Sequence, residues 1–220
     1  MPLSTIQIET QNDPDCAVIW LHGLGANGHD FEPIVGELNL PTSIRARFIF
    51  PHAPVQAVSL NNGMQMPAWY DIYGLNKDSE EDVDGIKKIS EEIKLLIQQE
   101  MDDGIVANKI VLAGFSQGGA LTLYTGLSHS HRLGGLLALS CYLPIREQLE
   151  SYAKETQRDL PIFMAHGSYD DVVPLAFATL AKELLEAQNF KINWNDYPCA
   201  HTVCAEEIQD IRNFLIKCWK

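Results

Sequence analysis

LAGFSQGGA, residues 112–120, is the stretch of this sequence that decides its fold. An apolar run leads into the pattern Gly-x-Ser-x-Gly, and residues compatible with a helix follow. This order predicts a nucleophile elbow, a tight turn between a strand and a helix that exposes the Ser116 hydroxyl above a sheet. The glycines suit a turn in which two backbones approach too closely for a Cβ atom. The stretch therefore predicts a serine hydrolase.

Apolar runs alternate with helical patterns on both sides of the elbow. This alternation predicts βαβ units, and hence an α/β fold with a mostly parallel central sheet flanked by helices. We expect one domain spanning residues 1–220, with an antiparallel strand at the N-terminus and strand 191–197 near a sheet edge. The segment 53–76, rich in Pro, Gly, Asn and Met, is too long for a plain turn and predicts a binding loop or a small excursion. The expected strands are 4–10, 16–21, 48–50, 109–115, 135–140, 162–166 and 191–197, and the expected helices are 82–100, 116–127, 175–188 and 204–217.

Composition narrows the classes of partner and compartment. A net charge of −13 argues against nucleic acid as a partner, because nucleic-acid binding needs clustered Lys and Arg. The N-terminus MPLSTIQIET has neither the basic region nor the apolar region of a signal peptide, and no apolar run approaches the roughly 20 residues of a membrane-spanning helix. The five scattered cysteines favour a reduced, cytoplasmic protein.

A serine nucleophile needs a base, and the base needs a carboxylate that orients it. With an elbow of this type the chain order is Ser, acid, His, each following a strand. His201 lies between the strand ending near Tyr197 and the last helix, so we expect it to be the base. His166 ends a strand and introduces Ser168-Tyr169-Asp170-Asp171, which is better suited as the acid loop. Spacing leaves Asp170 and Asp171 equally good as the acid, while Asp196 lies within a strand pattern and too near His201.

The oxyanion of acyl transfer needs two backbone N–H donors. One is expected from Gln117, the residue after the nucleophile, at the start of a helix. The other is expected from the loop 22–28, HGLGANG, which follows the strand 16–21. We do not expect this loop to bind phosphate as a P-loop does, because the sequence contains no Gly-Lys-Ser/Thr.

Cysteines raise two competing interpretations of the chemistry. The pattern Cys199-Ala-His201-Thr-Val-Cys204 offers three metal ligands without a second cluster, so we expect no metal and no cofactor. Cys141 follows an apolar strand with no base nearby in the sequence, which favours core packing over a nucleophilic role.

Several segments resemble the acyl-protein thioesterase and carboxylesterase family of α/β-hydrolases, and the resemblance covers nearly the whole chain. The similarity implies an α/β-hydrolase fold and selects Asp170, the first aspartate of its segment, as the acid beside Ser116 and His201. The segments are LHGLGANGHDF (21–31), FPHAP (50–54), AWYDI (68–72), GFSQGGALTLYTGL (114–127), LSCYLP (139–144), HGSYDDVVP (166–174) and AHTVC (200–204).

The resemblance also assigns binding residues. It implies that the amides of Leu24 and Gln117 form the oxyanion hole. It further implies an acyl site lined by Met64, Met66, Trp69, Leu75 and Tyr142. The chain departs from the family pattern at Tyr142, where Trp is common, and at Ala26, where an acid is common. The first departure predicts an altered fit of the acyl group.

The expected activity is hydrolysis of carboxylic esters or thioesters of acyl chains. Small esters, S-acylated proteins and lysophospholipids remain open as substrates, so a lysophospholipase is an alternative. A non-catalytic α/β-hydrolase that serves as a binding module is disfavoured because all three members of the triad are present. The resemblance also implies a homodimer and leaves room for transient membrane contact without an integral membrane segment.

Overall fold

A seven-stranded sheet organises the chain in the computed structural model, which describes residues 3–74 and 79–220. The strands of the described residues are β1 (Thr5–Glu9), β2 (Cys16–Leu21), β3 (Ala46–Pro51), β4 (Val55–Val58), β5 (Met64–Pro67), β6 (Ile110–Phe115), β7 (Gly135–Leu139), β8 (Ile162–Gly167) and β9 (Ile192–Tyr197). The main sheet has the order β1-β3-β2-β6-β7-β8-β9. All neighbours pair in parallel except β1, which is antiparallel to β3 at one edge.

Helices connect the parallel strands. The described α-helices are α1 (Ile34–Glu37), α2 (Val83–Asp102), α3 (Gln117–Ser128), α4 (Leu149–Tyr152), α5 (Leu175–Ala187) and α6 (Ala205–Trp219). The buried face of α2 carries the apolar residues that recur every three or four positions in its sequence. Asp82 caps this helix, because its carboxylate accepts a hydrogen bond from the Gly85 amide at 2.9 Å.

The sheet separates two hydrophobic cores. All six residues of β2 are buried, as expected for a parallel strand covered on both faces. Ala17, Ile19 and Leu21 belong to the core that α2, α3 and α5 cover. Val18 and Trp20, which alternate with them, belong to the core that α1 and α6 cover. The period of two along the strand therefore sends successive side chains into opposite cores.

The predicted fold class is confirmed: the sheet is mostly parallel and helices flank it. The first strand is antiparallel and β9 lies at the other edge, as expected. The segment predicted as an excursion contains a two-stranded antiparallel hairpin of β4 and β5, separate from the main sheet. Sequence periodicity missed this hairpin because Val55 and Met64 are exposed there and leave only a weak apolar pattern.

Candidate active site

Ser116 lies in the turn between β6 and α3, with φ 56° and ψ −119°. Positive φ is uncommon for a residue with a side chain, and such strain concentrates at functional sites. A Cβ at Gly114 would collide with the Gly118 carbonyl, and a Cβ at Gly118 would collide with the Leu21 carbonyl. The Ser116 amide donates to the Leu139 carbonyl at 2.9 Å. The strand-to-helix turn is therefore as tight as the Gly-x-Ser-x-Gly pattern predicts.

His201 bridges Ser116 and Asp170. Its Nε2 lies 2.9 Å from Ser116 Oγ, and its Nδ1 lies 2.6 Å from Asp170 Oδ2. The carboxylate only accepts, so Nδ1 carries the proton and Nε2 is free to accept the serine proton. The three residues follow β6, β8 and β9, whose carboxyl ends meet at one edge of the sheet, where open α/β sheets bind ligands.

The structure distinguishes the two aspartates that spacing leaves equal. Asp170 is 8% exposed, and its Oδ1 accepts the amides of Val172 and Val173 at 2.9 and 2.8 Å. These bonds fix the carboxylate while its other oxygen faces His201. Asp171 is exposed to solvent. Asp196 instead accepts a hydrogen bond from the Ser168 hydroxyl at 3.1 Å.

His166 contacts both Asp170 and the loop that follows it, a role that the sequence did not predict. The ring is fully buried, and its Nε2 lies 2.7 Å from the Val173 carbonyl and 3.3 Å from Asp170 Oδ2. Since a carbonyl only accepts, Nε2 carries the proton and donates toward both oxygens. Burial lowers the pKa of His166, which favours the neutral ring. The histidine thus holds the acid loop without adding a charge.

The acid loop packs directly on the loop that carries His201. The Ser168 amide donates to the Tyr197 carbonyl at 2.7 Å, and the Tyr169 amide donates to the Cys199 carbonyl at 2.9 Å. The Phe115 ring lies against the imidazole of His201, with 4.7 Å between ring centroids. The base is therefore held by backbone contacts on one side and an aromatic ring on the other.

The amides of Leu24 and Gln117 are available as donors. Neither amide forms a hydrogen bond to another described residue, although the neighbouring Gly25 amide donates to the Pro67 carbonyl at 2.8 Å. Both residues line the cavity that contains Ser116, and Gln117 is the first residue of α3. The positive end of the helix dipole adds to the field there. These positions suit an oxyanion hole.

A buried hydrogen-bond network holds the loop of Leu24 in place. His22 Nε2 accepts the Ala53 amide at 3.1 Å, so its Nδ1 donates to the Gly23 carbonyl at 2.8 Å. Burial lowers the pKa of His22. The Trp69 indole N–H donates to the His22 carbonyl at 2.8 Å.

The Gln117 side chain extends this network to residues 69 and 70. Its Oε1 accepts the Trp69 amide at 3.0 Å, and its Nε2 donates to the Tyr70 carbonyl at 2.7 Å. The two proposed sources of oxyanion amides are thereby linked through one tryptophan.

Two adjoining cavities lie beside the site. One, of about 330 Å³, contains Ser116 and His201, and the other, of about 250 Å³, extends toward α2 and α5. Both are lined by Ile72, Tyr142 and Val173. The hydroxyls of Tyr70 and Tyr142 lie 2.8 Å apart at this shared wall. Apolar side chains predominate near the shared wall, whereas carboxylates such as Glu80 and Asp82 lie along the second cavity.

The residues expected to line an acyl site have different placements. Tyr142 lines both cavities. Trp69 is buried beneath the loop of Leu24, and Met64 is 64% exposed on the hairpin. The sulfur of Met66 accepts a hydrogen bond from the Asn61 side chain at 3.3 Å. None of Trp69, Met64 and Met66 lines either cavity. Leu75 lies outside the described residues.

Four other residues that line the cavity at Ser116 were not predicted from the sequence. Leu60, Ile72, Val172 and Val173 line the cavity at Ser116. Leu60 lies in a short 3-10 helix, Ile72 in an isolated bridge, and Val172 and Val173 in the loop after Asp170; none of these short segments carries a periodic apolar signal. Two of them, Leu60 and Ile72, lie within the segment 53–76 that was predicted as a binding loop or small excursion.

A separate set of side chains that could bind a metal ion lies where the loop of His201 joins α6. Among the described residues, Cys199, Cys204 and Glu207 form one group whose potential ligand atoms all lie within 4.8 Å of one another. This set differs from the Cys-x-His-x₂-Cys pattern, because His201 is turned toward Ser116 and Asp170. No helix in the described ranges is both long and apolar enough to cross a bilayer.

Comparison with known proteins identifies the family and the fold. The family described as phospholipase/carboxylesterase matches residues 4–219. Acyl-protein thioesterase 1 of Kluyveromyces lactis is 37% identical over 228 residues, covering 100% of both chains. The Yarrowia lipolytica protein of the same name is 38% identical, covering 97% of this chain and 96% of its own.

Solved structures show the same fold. Acyl-protein thioesterase 2 of Zea mays superposes with a TM-score of 0.89 at 25% identity, covering 99% of each chain. Arabidopsis thaliana SOBER1 gives a TM-score of 0.89 at 29% identity, covering 93% of this chain and 99% of its own. The expected α/β-hydrolase fold is confirmed, and the chain belongs to the phospholipase/carboxylesterase family.

Proposed function

We propose that this protein hydrolyses esters and thioesters of acyl chains through a covalent acyl-enzyme. The observation that carries the proposal is the hydrogen-bonded series from Ser116 through His201 to Asp170, at 2.9 and 2.6 Å. A serine hydroxyl with a histidine and a buried carboxylate aligned behind it is an activated nucleophile. Acyl-protein thioesterase relatives at 37% and 38% identity support the same chemistry.

Acylation begins when Ser116 Oγ attacks the acyl carbonyl carbon. His201 Nε2 takes the hydroxyl proton, and Asp170 stabilises the imidazolium through Nδ1–H. The oxyanion that forms is stabilised by the amides of Leu24 and Gln117, which have no competing acceptor among the described residues. When the tetrahedral intermediate collapses, His201 returns the proton to the departing alcohol or thiol.

Deacylation uses the same groups in reverse roles. A water molecule gives a proton to His201 Nε2 and attacks the acyl-enzyme carbonyl, and the carboxylic acid product leaves as Ser116 regains its proton. The hydrogen bond from Nδ1–H to Asp170 keeps the imidazole oriented with Nε2 toward the group that gives up its proton in each step. Every proton that His201 accepts is therefore returned, either to the leaving group or to Ser116 Oγ.

The acyl chain has an apolar path away from Ser116. Ile72, Tyr142 and Val173 continue from the cavity of the nucleophile into the adjoining one, so we place the acyl chain along them. Because Tyr142 is hydrogen-bonded to Tyr70, this wall is less deformable than an unpaired aromatic side chain would be. We place S-acylated proteins first among the substrates, with lysophospholipids and small esters as alternatives.

A fluorophosphonate probe tests the nucleophile. The wild-type protein is expected to be labelled stoichiometrically and Ser116→Ala to remain unlabelled, because the probe needs an activated serine. Ser128→Ala, at the other end of α3, is the matched control and is expected to label like the wild type. Absence of labelling in a well-folded wild-type protein would favour a non-catalytic binding module.

The substrate class is tested by comparing kcat/KM for p-nitrophenyl esters of increasing chain length, an S-acylated peptide and a lysophospholipid. Our proposal expects the S-acylated peptide to exceed the lysophospholipid. The reverse order would identify a lysophospholipase built on the same triad.

We also propose a cytoplasmic location and a homodimeric state. All five cysteines are free thiols, which supports a reducing compartment. Fractionation of cells expressing the full chain tests the location, and light scattering coupled to size exclusion tests the dimer. Flotation with lipid vesicles tests transient membrane contact.

A further inference from the structure

Cys199, Cys204 and Glu207, the thiol–carboxylate cluster, lie where the loop that carries His201 joins α6. Their potential ligand atoms lie within 4.8 Å of one another. Cys199 precedes His201 by two residues, Cys204 is the N-cap of α6, and Glu207 lies in the first turn of that helix. Cys199 and Cys204 are half-buried residues packed against the core that α1 and α6 cover. The cluster makes no direct use of the triad's atoms.

Glu207 is an unpartnered buried acid. Its side chain is fully buried, and neither carboxylate oxygen has a hydrogen-bond partner among the described residues. A glutamate in the first turn of a helix often reaches back to the N-cap amide. The Cys204 amide does lie close enough to favour the carboxylate, but burial outweighs it and raises the pKa of Glu207 to about 8. A buried carboxyl group without a full set of partners is costly, and a bound cation would supply such a partner.

The donor set selects a class of metal ion. Two thiolates and one carboxylate suit Zn²⁺, whose protein sites combine Cys sulfur at about 2.3 Å with carboxylate oxygen at about 2.0–2.2 Å. Tetrahedral geometry with these bonds places two sulfurs about 3.8 Å apart, so a movement of about 1 Å would close the cluster on an ion. Mg²⁺ and Ca²⁺ prefer oxygen ligands and do not fit two thiolates.

We propose that Cys199 Sγ, Cys204 Sγ and the Glu207 carboxylate bind one Zn²⁺-class ion, with water as the fourth ligand. On binding, both thiols and the Glu207 carboxyl group release their protons to solvent, and no redox change occurs. The Cys199 thiol gives up its hydrogen bond to the Thr202 carbonyl, which spans 3.7 Å. The ion links both ends of the loop 199–204 to α6, so it stabilises the segment that holds His201.

Binding is tested by titrating the reduced, chelator-treated full chain with Co²⁺ and then with Zn²⁺. We expect a thiolate-to-cobalt charge-transfer band that saturates at one ion per chain and disappears when Zn²⁺ displaces Co²⁺. Saturating Zn²⁺ should raise Tm by about 5 °C, because it binds the folded chain in preference to the unfolded one. Mg²⁺ should leave Tm unchanged.

Variants identify the ligands. Cys199→Ser, Cys204→Ser and Glu207→Gln are each expected to weaken Zn²⁺ binding by at least about tenfold. Cys218→Ser, which changes another half-buried thiol, is the matched control and should retain the wild-type affinity. If Glu207→Gln does not fold, the two serine variants still decide the question. The proposal is overturned if the wild type gives no charge-transfer band, or if the band survives in the Cys199→Ser/Cys204→Ser protein.

Discussion

Asp170 shows how one residue position separates the carboxylate that contacts His201 from its neighbour. Asp170 is buried, accepts two backbone amides and lies 2.6 Å from His201 Nδ1, whereas Asp171 points to solvent. A turn of the backbone at the end of β8 produces the difference. The chemistry therefore depends on a local conformation that charge and spacing alone do not encode.

Asp170→Asn is expected to lower kcat by about 10⁴ while leaving the fold intact, because an amide can donate to Nδ1 and so favours the wrong tautomer of His201. The measurement is steady-state hydrolysis of a p-nitrophenyl ester. Asp171→Asn is the matched control, for which we expect nearly wild-type kcat. A large loss in Asp171→Asn with little loss in Asp170→Asn would reverse the assignment of the acid.

Gly118 is a residue whose lack of a side chain is structural. A Cβ there would collide with the Leu21 carbonyl and approach the His22 carbonyl to 2.6 Å. We expect Gly118→Ala to lower the free energy of unfolding by at least about 2 kcal/mol, since neither backbone carbonyl can move freely. Gly36→Ala, where no atom lies within 4 Å of the added Cβ, is the control and should be neutral or slightly stabilising. Urea unfolding of both variants tests the difference, and equal midpoints would contradict it.

At the scale of elements, the site is assembled where β6, β8 and β9 end and α3 begins. Gln117 has two roles in this arrangement. The residue lines the cavity of Ser116, where we propose its amide as an oxyanion donor, while its side chain bonds to the backbone of residues 69 and 70. One residue thus joins the helix of the nucleophile to the segment that follows the β4–β5 hairpin.

Gln117→Ala separates these two roles because it keeps the amide and removes the side-chain bonds. We expect a loss of about 1–3 kcal/mol in the free energy of unfolding, since the Tyr70 carbonyl and Trp69 amide lose buried partners. We expect kcat to fall by only about tenfold, less than in a triad variant. Gln98→Ala, on the exposed face of α2, is the control and should change neither quantity. A kcat loss as large as that of a triad variant would show that the side chain takes part in the chemistry itself.

Across the whole molecule, buried neutral histidines link stability to pH. Burial lowers the pKa of His22, His129 and His166 below the ordinary value of 6.5. The unfolded chain therefore binds more protons than the folded chain below pH 6.5. The contribution of each neutral histidine to the free energy of unfolding is fully present above that pH. It is lost as the pH falls, by at most about 1.4 kcal/mol per pH unit for each histidine.

His129→Gln tests this linkage away from the active site. His129 ends α3, where it is 6% exposed and its Nδ1 lies 2.9 Å from the His131 carbonyl. We expect the variant to lose less stability than the wild type between pH 6.5 and pH 5, as measured by urea unfolding at each pH. Comparison at pH 7.5 is the control for any change unrelated to protonation. Parallel pH profiles for the two proteins would contradict the prediction.

The sequence by itself determined the alternation of strands and helices, the elbow at Ser116 and the position of His201 in the chain. These features follow from local rules: apolar period, the close backbone approach at Gly114 and Gly118, and the order of loops after parallel strands. Resemblance to a family, rather than spacing, selected Asp170.

Only the tertiary structure decided which side chains meet. It turned Asp170 and not Asp171 toward His201, placed Trp69 beneath the loop of Leu24, and brought His166 under the acid. It also buried Glu207 beside two thiols that sequence spacing had grouped with His201 instead. The physical reason is that these contacts join loops from different strands, so they depend on how the sheet and its helices pack. Local sequence patterns carry no record of that packing.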